Sequence, residues 1–364
     1  MAETGSYVFL DASSGEPLLA EAKDAWLAAA GAGWGDPQRL HRPGRLAAQA
    51  LDRSRETIAA AIKARPDEII FTASGPHPAR AAIAGLLKGR ARIGRTIVTS
   101  TIDHSAVLSA ADAAPGGSGV AVGVDHLGHL DLEAWQRAVN ASGVAAACLQ
   151  VANHEVGTLQ PYAEAARACT AAGVPLVLDA TAALGRIDLA GEIAWSALVG
   201  SAGAFGGPTS VGLLALRRSA RWRTPYPVDD YQDGRWPGPP DVPAIFAAAV
   251  ALEAWLGDGE AVGRRQFALV DRLRREIVDR IPDVDVAGDP DGRLPHLLTF
   301  SALYVDGETL TVELDRAGFG VASGSACSAN SETPSHVLTA MGALTHGNVR
   351  IGLTRATTEA EIEA

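Results

Sequence analysis

Short apolar runs alternate with longer alanine-rich segments through the first two thirds of the 364-residue chain. This alternation is typical of strand–helix–strand units, in which each helix connects two parallel strands of one sheet. We therefore expect an α/β fold with a mostly parallel sheet. The pattern predicts buried strands over 68–72, 96–100, 119–124, 145–151, 175–179, 197–199 and 212–216. It predicts helices between them over 49–64, 78–87, 106–113, 132–140 and 163–172.

The pattern changes after residue 220. Residues 221–243 are rich in Pro, Gly and aromatic residues, which indicates a long surface loop. We expect an N-terminal segment over 1–16, a large domain over 17–242 and a small α+β domain over 243–364. The small domain is predicted to hold helices over 243–255, 266–280 and near 308–317, and strands near 295–301 and 320–322.

Charge and cysteine content exclude several classes of protein. Asp and Glu number 42 against 31 for Lys and Arg, so the net charge is −11 and nucleic acid is not an expected partner. No signal peptide and no apolar run of about 18 residues are recognised, so we expect a cytoplasmic protein without a membrane partner. Three cysteines without a CxxC pair predict neither disulfides nor a metal site.

Polar residues follow five of the predicted strands, where the carboxyl ends of parallel strands form ligand sites. One such residue would indicate only a turn or a helix cap, but five in register indicate a single cleft. These residues are Ser74 and Gly75, His104, Asn153 and His154, Asp179, and Ser201.

Two of these side chains suit a flat, basic heteroaromatic ring. Asp179 ends an apolar strand, and a buried carboxylate there would pair with a protonated ring nitrogen, although capping of the next turn is an alternative. His104 could stack on such a ring, although a structural histidine is the alternative. His126 and His129 flank a predicted turn at Gly128, and no metal is expected there.

A nucleophile and a carboxylate clamp are predicted near the C-terminus. Cys327 lies in a run of small residues, 322–330, which would leave its sulfur accessible, although a merely tolerated cysteine is the alternative. Cys148 and Cys169 lie in apolar patterns and are expected to be inert. Arg350 is the candidate for bidentate binding of a carboxylate, with an ordinary surface arginine as the alternative.

Taken together, these segments resemble the cysteine desulfurase family over nearly the whole chain. That family consists of class-V aminotransferase-like enzymes of fold type I that depend on pyridoxal phosphate. The motif around Cys327 is the one most specific to desulfurases within this fold. The matching segments include 9–12, 68–75, 103–108, 152–161, 179–180, 205–208, 323–327 and 334–338.

The resemblance implies an α/β/α sandwich with a mostly parallel seven-stranded sheet and a small C-terminal α+β domain. His104 would stack on the pyridine ring, Asp179 would pair with its nitrogen, and Cys327 would attack the sulfur of L-cysteine and carry it as a persulfide. The resemblance further implies a cofactor site at Ser74, Gly75, His77, His154, Ser201 and Ala204, and substrate binding by Asn153 and Arg350.

Several positions depart from the family pattern. Ala204 stands where the family has the lysine that forms the Schiff base, and the chain's only lysines are expected in exposed helices or at their ends. Other cofactor contacts of the family are replaced as well, so pyridoxal phosphate is expected to bind without a covalent bond, if at all. The lysines are Lys23, Lys63 and Lys88, and the other replacements include His77, His154, Ala182 and Pro239.

Three functions follow as hypotheses. The first is a cysteine desulfurase-like protein acting on L-cysteine or a related thiol, expected as a homodimer with a sulfur-acceptor protein as partner. The second is a non-catalytic pseudo-enzyme that accepts or relays sulfur, or dimerises with an active homologue. A nucleotide-binding enzyme is the weakest, because the glycines of 31–35 precede the first sheet strand instead of following one.

Overall fold

The computed structural model describes residues 7–33, 35–113, 118–189, 193–323 and 334–364, so Cys327 lies outside the described residues. The helices are α1 (Ala20–Gly31), α2 (Arg42–Ala61), α3 (Pro76–Gly89), α4 (Ser105–Asp112), α5 (Leu132–Val139), α6 (Tyr162–Ala171), α7 (Val242–Arg280), α8 (Gly307–Arg316), α9 (His336–Met341) and α10 (Glu359–Glu363). The strands are β1 (Val8–Phe9), β2 (Ile69–Thr72), β3 (Thr96–Ser100), β4 (Ser118–Val122), β5 (Val144–Gln150), β6 (Leu176–Asp179), β7 (Ala197–Ser201), β8 (Gly212–Leu216), β9 (Val284–Ala287), β10 (Leu297–Ala302), β11 (Phe319–Gly320) and β12 (Asn348–Gly352).

The central sheet has seven strands in the described residues, in the order β2-β8-β7-β6-β5-β3-β4. β8 is antiparallel to both of its neighbours, and the other neighbouring strands are parallel. This confirms the predicted mostly parallel seven-stranded sheet. Because β2 runs in the same direction as β7, the carboxyl ends of β2, β3, β5, β6 and β7 lie at one edge of the sheet.

Helices cover both faces of this sheet. Successive residues of a strand point to opposite faces, so Leu176 and Leu178 join the core under α2, α5, α6 and α7. Val177 between them joins the second core under α3 and α4. The alternation explains why the strands are apolar at every position, and it produces the predicted α/β/α layers.

The prediction of two separate helices over 243–255 and 266–280 is wrong, because α7 is one continuous helix of 39 residues. Three glycines, Gly257, Gly259 and Gly263, lie inside this helix, and a Cβ on Gly259 would lie 2.9 Å from the carbonyl oxygen of Gly185. Glycine therefore permits close packing there without ending the helix. Among the described residues α7 alone is long and apolar enough to span a membrane, yet 56% of its apolar window is buried inside the protein.

The C-terminal part forms a smaller antiparallel sheet in the order β12-β10-β9. The N-terminal segment crosses to it, because β1 pairs in parallel with β11 and Gly352 donates its N–H to the carbonyl of Leu10 at 2.7 Å. The sequence patterns predicted β10, α8 and the region of β11 but did not predict β1, α1, β9, β12, α9 or α10.

Candidate functional site

A cavity of about 360 Å³ opens at the carboxyl edge of the central sheet. The structure brings seven of the predicted site residues together around it. They are Ser74, Gly75, His104, His154, Asp179, Ser201 and Ala204. Each lies at or just after the end of a strand, because parallel strands deliver their following residues to one edge.

An acidic group lies at the floor of the cavity. Asp179 ends β6, and its Oδ1 accepts a hydrogen bond from the N–H of Thr181 at 2.9 Å, so the carboxylate both lines the cavity and fixes the next turn. Asp103 is buried nearby and accepts N–H bonds from Ser100 at 2.8 Å and Gln150 at 3.0 Å. Burial, with a further contribution from the charge of Asp179, raises the pKa of Asp103 to about 7. No sequence pattern predicted a role for Asp103, because its burial cannot be seen in the composition.

Two histidines form one wall. His104 caps α4, its Nδ1 accepting from the N–H of Ala106 at 3.1 Å. Its ring meets the edge of His154, with centroids 4.8 Å apart and planes inclined by 62°. Burial, helped by the neighbouring His104, Arg350 and His336, holds the pKa of His154 well below its usual range. His154 is therefore an uncharged aromatic surface at neutral pH.

The opposite end of the cavity suits an anion. The 14-residue helix α3 begins there with Gly75 as its N-cap, and helix N-termini favour negative charge. Ser74 Oγ lies 2.8 Å from His77 Nδ1, which fixes both side chains beside that terminus. A Cβ on Gly75 would lie 2.9 Å from Ser201 Oγ, so any larger residue there would displace this hydroxyl and narrow the cradle.

Ala204 closes the remaining side. Its carbonyl oxygen accepts from Arg186 Nη2 at 3.1 Å, and the same nitrogen donates to Glu16 Oε2 at 2.8 Å. Burial and the charge of Arg186 hold the pKa of His296, which also lines the cavity, well below its usual range. The wall around Ala204 thus carries a neutral imidazole and an arginine already paired with a carboxylate.

No lysine lines this cavity, and all three lysines of the chain belong to the described residues. Lys63 Nζ donates to the carbonyl of Leu189 at 3.3 Å, and Lys88 Nζ donates to that of Thr224 at 2.8 Å. Lys23 is exposed on α1. The chain therefore has no lysine side chain beside Ala204.

Three predicted residues contact the wall without lining the cavity. His77 binds Ser74, as described, and Asn153 is buried, with Oδ1 accepting from the N–H groups of Glu155 and Val156 at 2.9 Å each. Asn153 thereby fixes the turn that carries His154. Arg350 lies on β12 and donates from Nε to Ser13 Oγ at 2.8 Å.

The other two cysteines, which were predicted to be inert, are buried: Cys148 lies on β5 and Cys169 on α6. Burial raises the pKa of Cys148 well above its usual range and that of Cys169 to about 12. Both thiols therefore stay protonated at neutral pH. His129 contacts Asp125 through Nδ1 at 3.2 Å and Asp289 through Nε2 at 3.0 Å. Among the described residues, no cluster of three or more His, Cys, Asp or Glu side chains has an arrangement that could hold a metal ion.

Comparison with known proteins assigns the fold to a class. Residues 16–364 match the family model for aminotransferase class-V. A solved structure titled NifS-like protein superposes with a TM-score of 0.90 at 24% identity, over 98% of this chain and 96% of that one. The structure of DndA from Streptomyces lividans superposes with a TM-score of 0.79 at 27% identity, over 95% of this chain and 99% of that one.

Similarity to curated relatives identifies one family within this class. A cysteine desulfurase of Cereibacter sphaeroides is 36% identical over 366 residues, which cover 98% of this chain and 93% of that protein. The cysteine desulfurase NifS of Azotobacter vinelandii is 35% identical over 339 residues, covering 91% of this chain and 83% of that protein. The chain belongs to the cysteine desulfurase family within the class-V aminotransferases.

Enzymes of this family depend in general on pyridoxal phosphate. The residues present fit the non-covalent part of that group, because the cradle that a Cβ at Gly75 would fill suits a phosphate and Asp179 suits a protonated ring nitrogen. They do not fit its covalent attachment, since Ala204 and the other lining residues offer no amine.

Proposed function

We propose that this chain takes sulfur from L-cysteine onto Cys327 and releases L-alanine, with pyridoxal phosphate held by non-covalent contacts alone. The carbon–sulfur bond of cysteine breaks and a sulfur–sulfur bond to Cys327 forms. The bonding electrons stay with the carbon, which takes up a proton to become the methyl group of alanine. The convergence of seven predicted site residues on one cavity carries the proposal.

The chain's own residues divide the work of binding. The N-terminus of α3, with Ser74, Gly75 and Ser201, would hold the phosphate, and His77 fixes Ser74 beside it. Asp179 and His104 both line the cavity, where Asp179 would pair with the ring nitrogen and His104 would stack on the ring. When bound, pyridoxal phosphate supplies an electron sink for the substrate.

Substrate binding falls to a second set of residues. Arg350 takes the carboxylate of L-cysteine through its planar guanidinium. Asn153 holds the turn that keeps His154, an uncharged side chain, against the cavity. Ala204 leaves open the volume that a lysine side chain would fill.

Alanine release from L-cysteine with added pyridoxal phosphate tests this function. We expect the unmodified protein to release alanine and Cys327→Ser to release none. An Ala204→Lys variant supplies the missing amine and serves as a positive control for the rest of the site. If the unmodified protein released no alanine while Ala204→Lys did, turnover without a covalent link to the cofactor would be contradicted.

A second function is favoured by one observation, the absence of lysine from the cavity wall. In it the chain performs no chemistry on cysteine and instead accepts or relays sulfur through Cys327, or pairs with an active homologue. This function predicts a persulfide on Cys327 that appears only when a separate active desulfurase is present. Omitting that desulfurase from the assay distinguishes the two proposals.

The assembly is also part of the proposal. We propose a homodimer in the cytoplasm, with a sulfur-acceptor protein as partner and with domains divided over 1–16, 17–242 and 243–364. Arg235 and Trp236 lie in the long loop expected to approach the second subunit, and the ring of Trp236 lies 6.0 Å from that of His77, centroid to centroid. A solution mass equal to one chain would contradict the dimer.

A further inference from the structure

The turn formed by residues 10–14 is held tightly against β12. The N–H of Gly352 donates to the carbonyl of Leu10 at 2.7 Å, and the N–H of Ala12 donates back to the carbonyl of Gly352 at 3.0 Å. A Cβ on Gly352 would lie only 2.5 Å from the nitrogen of Ser13. Glycine at 352 is therefore what lets this turn approach the strand, so the position of the turn is fixed by backbone contacts.

Three side chains form a directed hydrogen-bond chain across this contact. Arg350 Nε donates to Ser13 Oγ at 2.8 Å, and Ser13 Oγ donates to Asp11 Oδ1 at 2.8 Å. Asp11 Oδ1 also accepts a hydrogen bond from the N–H of Ser14 at 3.2 Å, which fixes the carboxylate at the end of this series of hydrogen bonds. Because the hydroxyl of Ser13 donates to a carboxylate, its oxygen becomes a better acceptor for the guanidinium.

The chain of hydrogen bonds leaves the end of the guanidinium unengaged. Among the described residues, the side chain of Arg350 makes no hydrogen bond other than the one from Nε, and its two terminal nitrogens remain for a ligand. Ser13 and His154 both line the cavity, and Arg350 lies close enough to His154 for its charge to act on that ring. The guanidinium is thus adjacent to the cavity and is held in place by the hydrogen bond from its Nε to Ser13.

We propose that Asp11 and Ser13 are positioning residues, which hold Arg350 so that its two terminal nitrogens meet the carboxylate of an amino acid as a bidentate pair. This inference rests on the proposed function, in which Arg350 binds the carboxylate of L-cysteine. It adds that the preference for a carboxylate depends on the N-terminal turn. A free arginine side chain loses rotamer entropy on binding, and one that is already fixed loses less.

Calorimetric titration of the purified full chain with L-cysteine and with cysteamine tests the proposal. Cysteamine has the same thiol and amine but no carboxylate, so the ratio of the two affinities measures carboxylate recognition alone. We expect Ser13→Ala to lower the affinity for L-cysteine about tenfold and to leave that for cysteamine unchanged. Ser13→Thr keeps a hydroxyl and should retain most of the ratio.

Ser14→Ala is the matched control, because the neighbouring serine makes no side-chain bond to Arg350 in the described part of the chain. The ratio should be the same in Ser14→Ala as in the unmodified protein. An unchanged ratio in Ser13→Ala, or an equal loss in Ser14→Ala, would overturn the positioning role while leaving the proposed function intact. Equal affinities of the unmodified protein for both compounds would instead overturn the role of Arg350 and the positioning role together.

Discussion

Glu16 and Arg186 form an ion pair in which each side chain is 2% exposed, with 2.8 Å between Oε2 and Nη2. The pair joins the N-terminal segment to the segment that follows β6. Arg186 also donates to the carbonyl oxygen of Ala204, so the pair fixes the backbone at this position of the cavity wall. Glu16 makes a further bond, accepting from the N–H of Arg355 at 2.7 Å.

Removing one charge of this pair should destabilise the fold. Glu16→Gln leaves the guanidinium of Arg186 buried without its counter-charge, and we expect a loss of about 3–5 kcal/mol in the free energy of unfolding. Urea unfolding followed by circular dichroism measures this. Glu260→Gln is the matched control, because its pair with Arg264 is largely exposed and should contribute less than about 1 kcal/mol. Equal losses in the two variants would contradict the account.

Gly75 is predicted to be essential for the phosphate cradle. In Gly75→Ala the new Cβ would lie 2.9 Å from Ser201 Oγ, so the hydroxyl must move out of the cradle. We expect the affinity for pyridoxal phosphate, measured by equilibrium dialysis, to fall at least about tenfold. Gly123→Ala is the control, since a Cβ there meets no atom within 4 Å. Unaltered affinity in Gly75→Ala would place the phosphate elsewhere.

His154 should make the fold sensitive to acid. Its pKa is lowered in the folded state, so the unfolded chain binds more protons once the pH falls below about 6.5, and stability is lost as pH falls. His154→Asn cannot be protonated in this range. We expect its loss of unfolding free energy between pH 6.5 and 5.5 to be smaller than that of the unmodified protein by about 1 kcal/mol.

Replacement of an exposed histidine serves as the control for this experiment. His346→Asn is the matched variant, because His346 is exposed and does not line the cavity. His296, whose pKa is also lowered, keeps contributing in every one of these variants. An identical pH dependence for His154→Asn and the unmodified protein would show that His154 is not held neutral by the fold.

The central sheet was predicted well because the sequence signals that identify each strand are local. Each strand of the central sheet is an apolar run flanked by polar turn residues, and Ser74, His104, Asp179 and Ser201 lie where such a sheet collects ligands. The helix α7 was not predicted as a single element. Glycine usually lowers helical preference, whereas the contact of Gly259 with Gly185, which favours glycine, is tertiary.

The parts of the site that depend on long-range contacts were not predicted. Ser13 and Arg350 are 337 residues apart in sequence, and Glu16 and Arg186 are 170 apart. No pattern in the sequence pairs them, because neither a serine nor a glutamate in an N-terminal segment has a periodicity. The raised pKa of Asp103 likewise follows from burial beside Asp179.

The proposed function requires that sulfur from L-cysteine becomes bound to Cys327. The most direct measurement is the mass of the Cys327-containing peptide after the purified protein has been incubated with L-cysteine and pyridoxal phosphate and then washed. We predict a gain equal to one sulfur atom that a reducing agent removes and that Cys327→Ser does not show. An unmodified peptide, with or without release of alanine, would contradict the claim.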